Sequence, residues 1–318
     1  SDRKKFFGMG NSKKVPLWIY KNVRGITGFK SVSDKCGVIT TEVEIPKNSK
    51  VSLLFILGQD DNVDNVNRLI DKYTNLEAVE QSVKDIQEKW NQVKSKIKIN
   101  TPDTKFNYLI NNWMLYQVLS CRVDGKTAFY QAAGAFGFRD QLQDVMSLVY
   151  CNPSKVRDHL TLCCAHQFKE GDVQHWWHYP SGAGVRTKIS DDLLWLPYVV
   201  AYYIEKTGDM DILKIEVPYL EMQQLQPHEE SIYAIPNVSE ERGNVLDHCL
   251  RAIYKSLKFG SHGLPLIGSG DWNDGLSSVG DEGKGESVWL AWFLISVIEN
   301  FIKVLEKTDR RGEVERLL

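Results

Sequence analysis

Residues 190–208, "SDDLLWLPYVVAYYIEKTG", decide the fold class. Ser190-Asp191-Asp192 supplies an N-cap and an acidic first turn, a long apolar run follows, and Thr207-Gly208 stops it. The stretch predicts a buried helix over 190–207. Working outward, the same signals predict helices at roughly 104–122, 138–150, 153–167, 240–259 and 284–307, with a short one near 209–214. Asn152-Pro153 marks one of the starts. Paired helices with decorated loops between them suggest an α/α barrel, for which about six of twelve helices are visible. The last residues, "KTDRRGEVERLL", read as the start of another amphipathic helix, so the chain is expected to be truncated.

Upstream the pattern changes. Residues 38–57 read as two β-strands, Val43 and Ile45 alternating in the first and "VSLLFIL" forming the second, with a turn at Pro46–Ser49. From Asn62 to about Ile99 a charged helical pattern runs with little punctuation and reads as a linker. A formal charge of -2 gives no reason to expect nucleic acid or an anionic membrane as partner. The longest apolar run, residues 289–298, has the length of a buried helix rather than a bilayer span. The N-terminal residues lack a signal-peptide pattern, so a cytoplasmic location is expected. Six cysteines without a CxxC pair suggest neither zinc nor a disulfide scaffold, but buried thiols in a reducing compartment.

Three stretches could carry chemistry. In "GSGDWNDGLSSVG", 268–280, Asp271 and Asp274 flank Trp272 and Asn273 in a glycine-rich loop. It is either a surface turn or a sugar site, with an indole to stack on a pyranose and a carboxyl to protonate a leaving oxygen. In "GAFGFRDQLQDVMSLVY", 134–150, Asp140 and Asp144 share one helix face beside Arg139, as helix-terminal acids or as a grip on sugar hydroxyls. The loop "KEGDVQHWWHYPSGAGVRT", 169–187, is long and aromatic. His175 and His178 lack a third metal ligand and are read as partners of a polyol, with Trp176 and Trp177 shaping the pocket. Arg186 suits an anion or hydroxyls, and Asp191 and Asp192 are caps first, ligands second. Motifs for a serine or cysteine nucleophile, a P-loop and a dinucleotide fold are missing. The inventory is that of carbohydrate chemistry.

The stretches 130–146, 170–198 and 262–294 together resemble family 94 of the glycoside hydrolases, the inverting β-glycoside phosphorylases. The resemblance implies a mainly α fold: the end of a β-sandwich over 1–60, a helical linker over 61–100, and the N-terminal part of an (α/α)6 barrel over 101–318. It implies that Asp274 is the general acid and that Trp272, Arg139, Asp140 and Asp144 bind the glucosyl ring. Asp271, as a like-charged neighbour, would help keep Asp274 protonated; on chemistry alone Asp271 is a rival acid. No cofactor is implied. The co-substrate is inorganic phosphate, whose ligands are expected beyond Leu318, and the other partner is a β-glucooligosaccharide. A homodimer, or pairing with the missing barrel half, is expected. Leu142 stands where cellobiose phosphorylases carry Asn, and the 170–187 stretch looks closer to β-1,2-glucan enzymes. A β-1,2 donor is therefore favoured over cellobiose, laminaribiose or chitobiose types. An inverting hydrolase and a non-catalytic sugar-binding fragment are the competing readings.

Overall fold

A computed structural model describes residues 3–8, 16–17, 34, 36–126 and 134–318. The chain divides into two units, 1–82 and 83–318.

In the first unit, α1 (Arg3–Phe7) precedes the segment where two strands were predicted. The turn between them forms: the Ser49 amide and hydroxyl both donate to the Pro46 carbonyl, at 3.2 and 2.7 Å. The strands do not. Among the described residues neither flank has a hydrogen-bonded partner, and Ile45, Phe55 and Leu57 stay exposed. Alternation provides a face for burial but no ladder, and a strand exists only when its amides find a partner. The predicted continuous linker helix is two helices, α2 (Val63–Tyr73) and α3 (Leu76–Ser95). Asn62 caps the first by accepting the Asp64 amide at 2.8 Å. Asn75 interrupts the pattern, accepting the Ala78 amide at 2.7 Å at the start of the second.

The second unit takes in α3 from Val83 onward and continues with α4 (Thr104–Tyr108), capped by Asp103, which accepts the Lys105 and Phe106 amides. The run continues through a π-helical segment Leu109–Trp113, α5 (Met114–Tyr116) and a second π segment Gln117–Val123. Residues 130–133, which begin the first family motif, lie outside the described residues. Then follow β1 (Ala135–Gly137), α6 (Phe138–Met146) and α7 (Pro153–Cys164). After β2 (Gln174–His178) and β3 (Gly184–Thr187) comes α8 (Trp195–Thr207), ended by Gly208 at φ 73. This is the helix read from residues 190–208, starting later because Asp192–Leu194 form a 3-10 turn. Apolar on nearly every side, α8 is the hub on which α6 and α7 pack, as do α9 (Val245–Ser256) and α10 (Val288–Leu305).

The unit is less purely helical than expected. Antiparallel strands β1-β2-β3 and β5 (Ser231–Ala234) form one sheet, and β4 (Glu216–Glu221) pairs with β6 (Asn237–Asn244) in another. The helix predicted from residue 240 therefore starts at Val245, where Asn244 accepts the Asp247 amide at 2.9 Å. By length and composition α10 could cross a membrane, which the apolar run alone did not suggest. Its Leu290, Leu294, Val297 and Phe301, however, are core residues, and the helix packs on α8.

Candidate functional site

Arg139 organises the site. It sits in the first turn of α6, just after Gly137, where a Cβ would come within 2.0 Å of Asp140 Oδ2. The buried guanidinium donates from Nη1 to Asp191 Oδ1 at 2.8 Å and to the Asp271 carbonyl at 3.0 Å. Its Nη2 donates to the Asp274 carboxylate, and Asp192 Oδ1 lies 3.7 Å away. Asp191 also accepts from Trp195 Nε1 at 3.0 Å, and Asp192 Oδ2 meets His175 Nδ1 at 2.7 Å. Burial raises the carboxyls of Asp191 and Asp192 above their ordinary values, against the pull of Arg139. Burial lowers His175, but the bond and charge of Asp192, together with the charge of Asp274, outweigh it and leave the imidazole raised. Its contribution to stability is thus full below the unfolded value and lost as pH rises through the folded one.

This geometry corrects two expectations. Asp191 and Asp192 make no side-chain capping bond; both are turned toward Arg139 and His175. Arg139 does not join Asp140 and Asp144, because neighbours along a helix point about 100° apart and adjacent positions do not share a face. Removing the cation leaves Asp191 buried without its counter-charge and Asp192 with His175 alone. Arg139→Met is expected to destabilise the protein by about 3–5 kcal/mol, read as the loss in urea unfolding free energy.

The acid loop is fixed from both ends. Gly268, at φ 64, has the Lys188 carbonyl 1.9 Å from where a Cβ would stand, so only glycine fits. The amide and hydroxyl of Ser190 donate to the Gly270 carbonyl at 3.0 and 3.1 Å. Within the loop the two acids are unlike. Asp271 is buried, its Oδ1 accepting the Asn273 amide at 2.9 Å and its Oδ2 accepting the Ser287 hydroxyl at 2.6 Å. Asp274 is 54% exposed and faces Arg139. The expectation that Asp271 acts on Asp274 as a bare like charge is therefore replaced: its carboxylate holds the loop together. Trp272 and Asn273 are exposed beside Asp274, and Asn273 Oδ1 accepts the Gly275 amide at 3.0 Å.

Asp140 and Asp144 find a different arginine. Arg122 Nε donates to Asp144 at 2.7 Å, and its Nη2 lies 3.6 Å from Asp140. Burial raises the Asp144 carboxyl in spite of Arg122. These three side chains, with Gly137 and Gln141, line a polar cavity of about 110 Å3. The Gln141 amide, 3% exposed, has no partner among the described residues for either its nitrogen or its oxygen. A buried amide left so is costly unless something else bonds to it.

The aromatic loop splits between two sheet faces. Trp177 pairs across strands with Phe136 and stacks on His166 at 3.7 Å, so it belongs to the core and not to a pocket wall. Trp176 lies opposite Gly137 and packs on His178 and Tyr233. Arg186 is also corrected. It is 2% exposed and its guanidinium donates to Asp172 twice, to Glu170 and to the Met222 and Gln223 carbonyls. That accounts for its five donors and leaves none for a substrate. It lines a cavity of about 540 Å3 that runs behind the acid loop past Gly268 and Gly280. Among the described residues there is no group of three His, Cys, Asp or Glu suited to a metal.

Sequence reading missed Arg122, Gln141, Trp195 and Ser287. Ser287 alone had a local signal, a serine directly before the apolar start of α10.

Comparison with known proteins shows the family. Residues 89–318 match the catalytic domain of the glycosyl hydrolase 94 superfamily, and residues 1–76 match the glycosyl hydrolase 94 supersandwich domain. The chain is 38% identical over 304 residues to the cyclic beta-(1,2)-glucan synthase NdvB of Rhizobium meliloti (strain 1021), covering 95% of this chain and 11% of that protein. It is 31% identical over 223 residues to solabiose phosphorylase of Paenibacillus borealis, covering 70% of this chain and 25% of that one. The 1,2-beta-oligoglucan phosphorylase of Listeria innocua is 22% identical over 236 residues, 71% of this chain and 20% of its own. The chain thus spans a quarter or less of these relatives. With both of its units matched, it belongs to glycosyl hydrolase family 94.

Proposed function

We propose that this chain carries the proton donor and the donor-sugar contacts of an inverting β-glycoside phosphorylase, acting on a β-linked glucooligosaccharide. The observation that carries the reading is the polar cavity lined by Asp140, Asp144 and Arg122. Two carboxylates and an arginine are donors and acceptors that suit a hydroxyl-rich ring. Asp274, exposed yet tied to Arg139, gives its proton to the glycosidic oxygen as the C–O bond breaks. A phosphate oxygen attacks the anomeric carbon from the opposite face, and the products are α-glucose 1-phosphate and a shortened acceptor. Trp272, half exposed beside the acid, offers a face to the ring.

The name of the 38% identical relative supports a β-1,2 donor. Leu142 does not add to that argument, since it is fully buried in the core. Helices packed around α8 support the reading of this unit as part of an (α/α)6 barrel. The test is sugar release by the full-length protein from β-1,2-glucooligosaccharides with and without inorganic phosphate. Phosphate-dependent formation of α-glucose 1-phosphate is expected; equal turnover without phosphate would favour a hydrolase.

A further inference from the structure

We propose that Ser287 is a positioning residue for the acid Asp274, acting through Asp271. The inference rests on the reading of Asp274 as proton donor. Ser287 is buried at the start of α10, where its Oγ accepts the Leu290 amide at 2.9 Å. That bond caps the helix and leaves the hydroxyl proton for Asp271 Oδ2, 2.6 Å away. The oxygen atoms of Asp271 then fix the loop at three points. Oδ2 is anchored to α10, Oδ1 holds the Asn273 amide at 2.9 Å, and the carbonyl receives Arg139 Nη1 at 3.0 Å. The same guanidinium holds the Asp274 carboxylate through Nη2. The position of the acid is therefore set by a closed circuit from the first turn of α10, through Asp271, to the first turn of α6.

Asp271 is also buried, which distinguishes it from the exposed Asp274 three residues on. Without the Ser287 hydroxyl, Asp271 Oδ2 is buried with no donor and the capping bond is gone. The carboxylate then turns to seek another partner, and the loop carrying Asp274 moves with it. Misplacement of a reacting group by about 1 Å costs roughly a hundredfold in rate.

The experiment compares S287A, S287T and D274N in the full-length protein, on the natural donor and on an aryl β-glucoside whose leaving group needs no protonation. S287A is expected to lower kcat on the natural donor about tenfold to a hundredfold, with the KM for phosphate unchanged. The deficit should largely vanish on the aryl glucoside, and S287T, which keeps the hydroxyl, should restore the natural reaction. A loss equal on both donors, or one that S287T does not rescue, would reduce Ser287 to a folding residue. Wild-type kcat in S287A alongside an inactive D274N overturns this inference alone. Full activity in D274N overturns the assignment of the acid and this inference with it.

Discussion

Asp274→Asn should lower turnover on the natural donor by about 10²–10⁴-fold, the usual contribution of a positioned general acid. The substitution is conservative for the fold. The asparagine oxygen can still accept from Arg139 Nη2, and the side chain is 54% exposed, so no buried charge is left unpaired. What is lost is the proton for the leaving oxygen. The defect should therefore depend on the leaving group, large for a sugar and small for an aryl group that departs as a stable anion. Phosphate must still be required in the variant, because the nucleophile is untouched. Full activity on the natural donor would remove Asp274 from the mechanism. The rival, Asp271, can be told apart from it in the same way. Asp271→Asn loses charge in a buried carboxylate that serves Asn273 and Ser287, so its deficit should come with a fall in stability. Thermal unfolding of both variants separates the roles: the Asp274 variant should melt near the wild type and the Asp271 variant below it.

The difference between these two acids also marks where sequence reading stops. Both stand in one glycine-rich loop and nothing local separates them; the distinction is made by Arg139 and Ser287, 135 and 16 residues away in the chain. Helices were legible because their apolar runs carry their own caps and stops, as Asn152 and Gly208 show. Strands were not. β6, "NVSEERGN", is polar and largely exposed with only Gly243 buried, so no apolar alternation announces it. β2 carries two adjacent tryptophans, and only the pairing of Trp177 with Phe136 tells which one enters the core. Arg186 sat in an aromatic loop among candidate ligands, and its acidic partners Glu170 and Asp172 lay in the same stretch. Counting its five donors against nearby carboxylates would have found the structural answer. Arg122 could not have been found, because it stands 22 positions from Asp144 and no local spacing ties the two.

Stability should fall steeply between about pH 6.5 and pH 4, driven by His159 and His166. Burial lowers both imidazoles to about 4, and Lys155 adds repulsion at His159. His159 lies against Phe136 with its Nε2 unpartnered among the described residues, while His166 Nδ1 donates to Gln174 Oε1 at 2.6 Å and the ring stacks on Trp177. Burial lowers His248 to about 4 as well, although its nitrogens face the Gln167 and Val217 oxygens, so it adds to the same acid limb. The sign follows from which state holds the protons. Above the unfolded value neither state is protonated and these histidines contribute nothing to the slope. Between 6.5 and 4 the unfolded chain takes up a proton at each of them that the native core refuses, so acid favours unfolding; below 4 the loss is complete. At about 3 kcal/mol for each histidine the sum is comparable with the whole stability of an ordinary domain. The buried Asp191–Asp192 pair works in the opposite direction, since protonation relieves its burial. Single-site variants isolate the histidines from it. In urea unfolding at a series of pH values, His159→Leu should make the acid limb shallower by about 1.4 kcal/mol per pH unit, one proton's worth. An acid limb as steep as that of the wild type would mean that His159 already carries its proton in the native core.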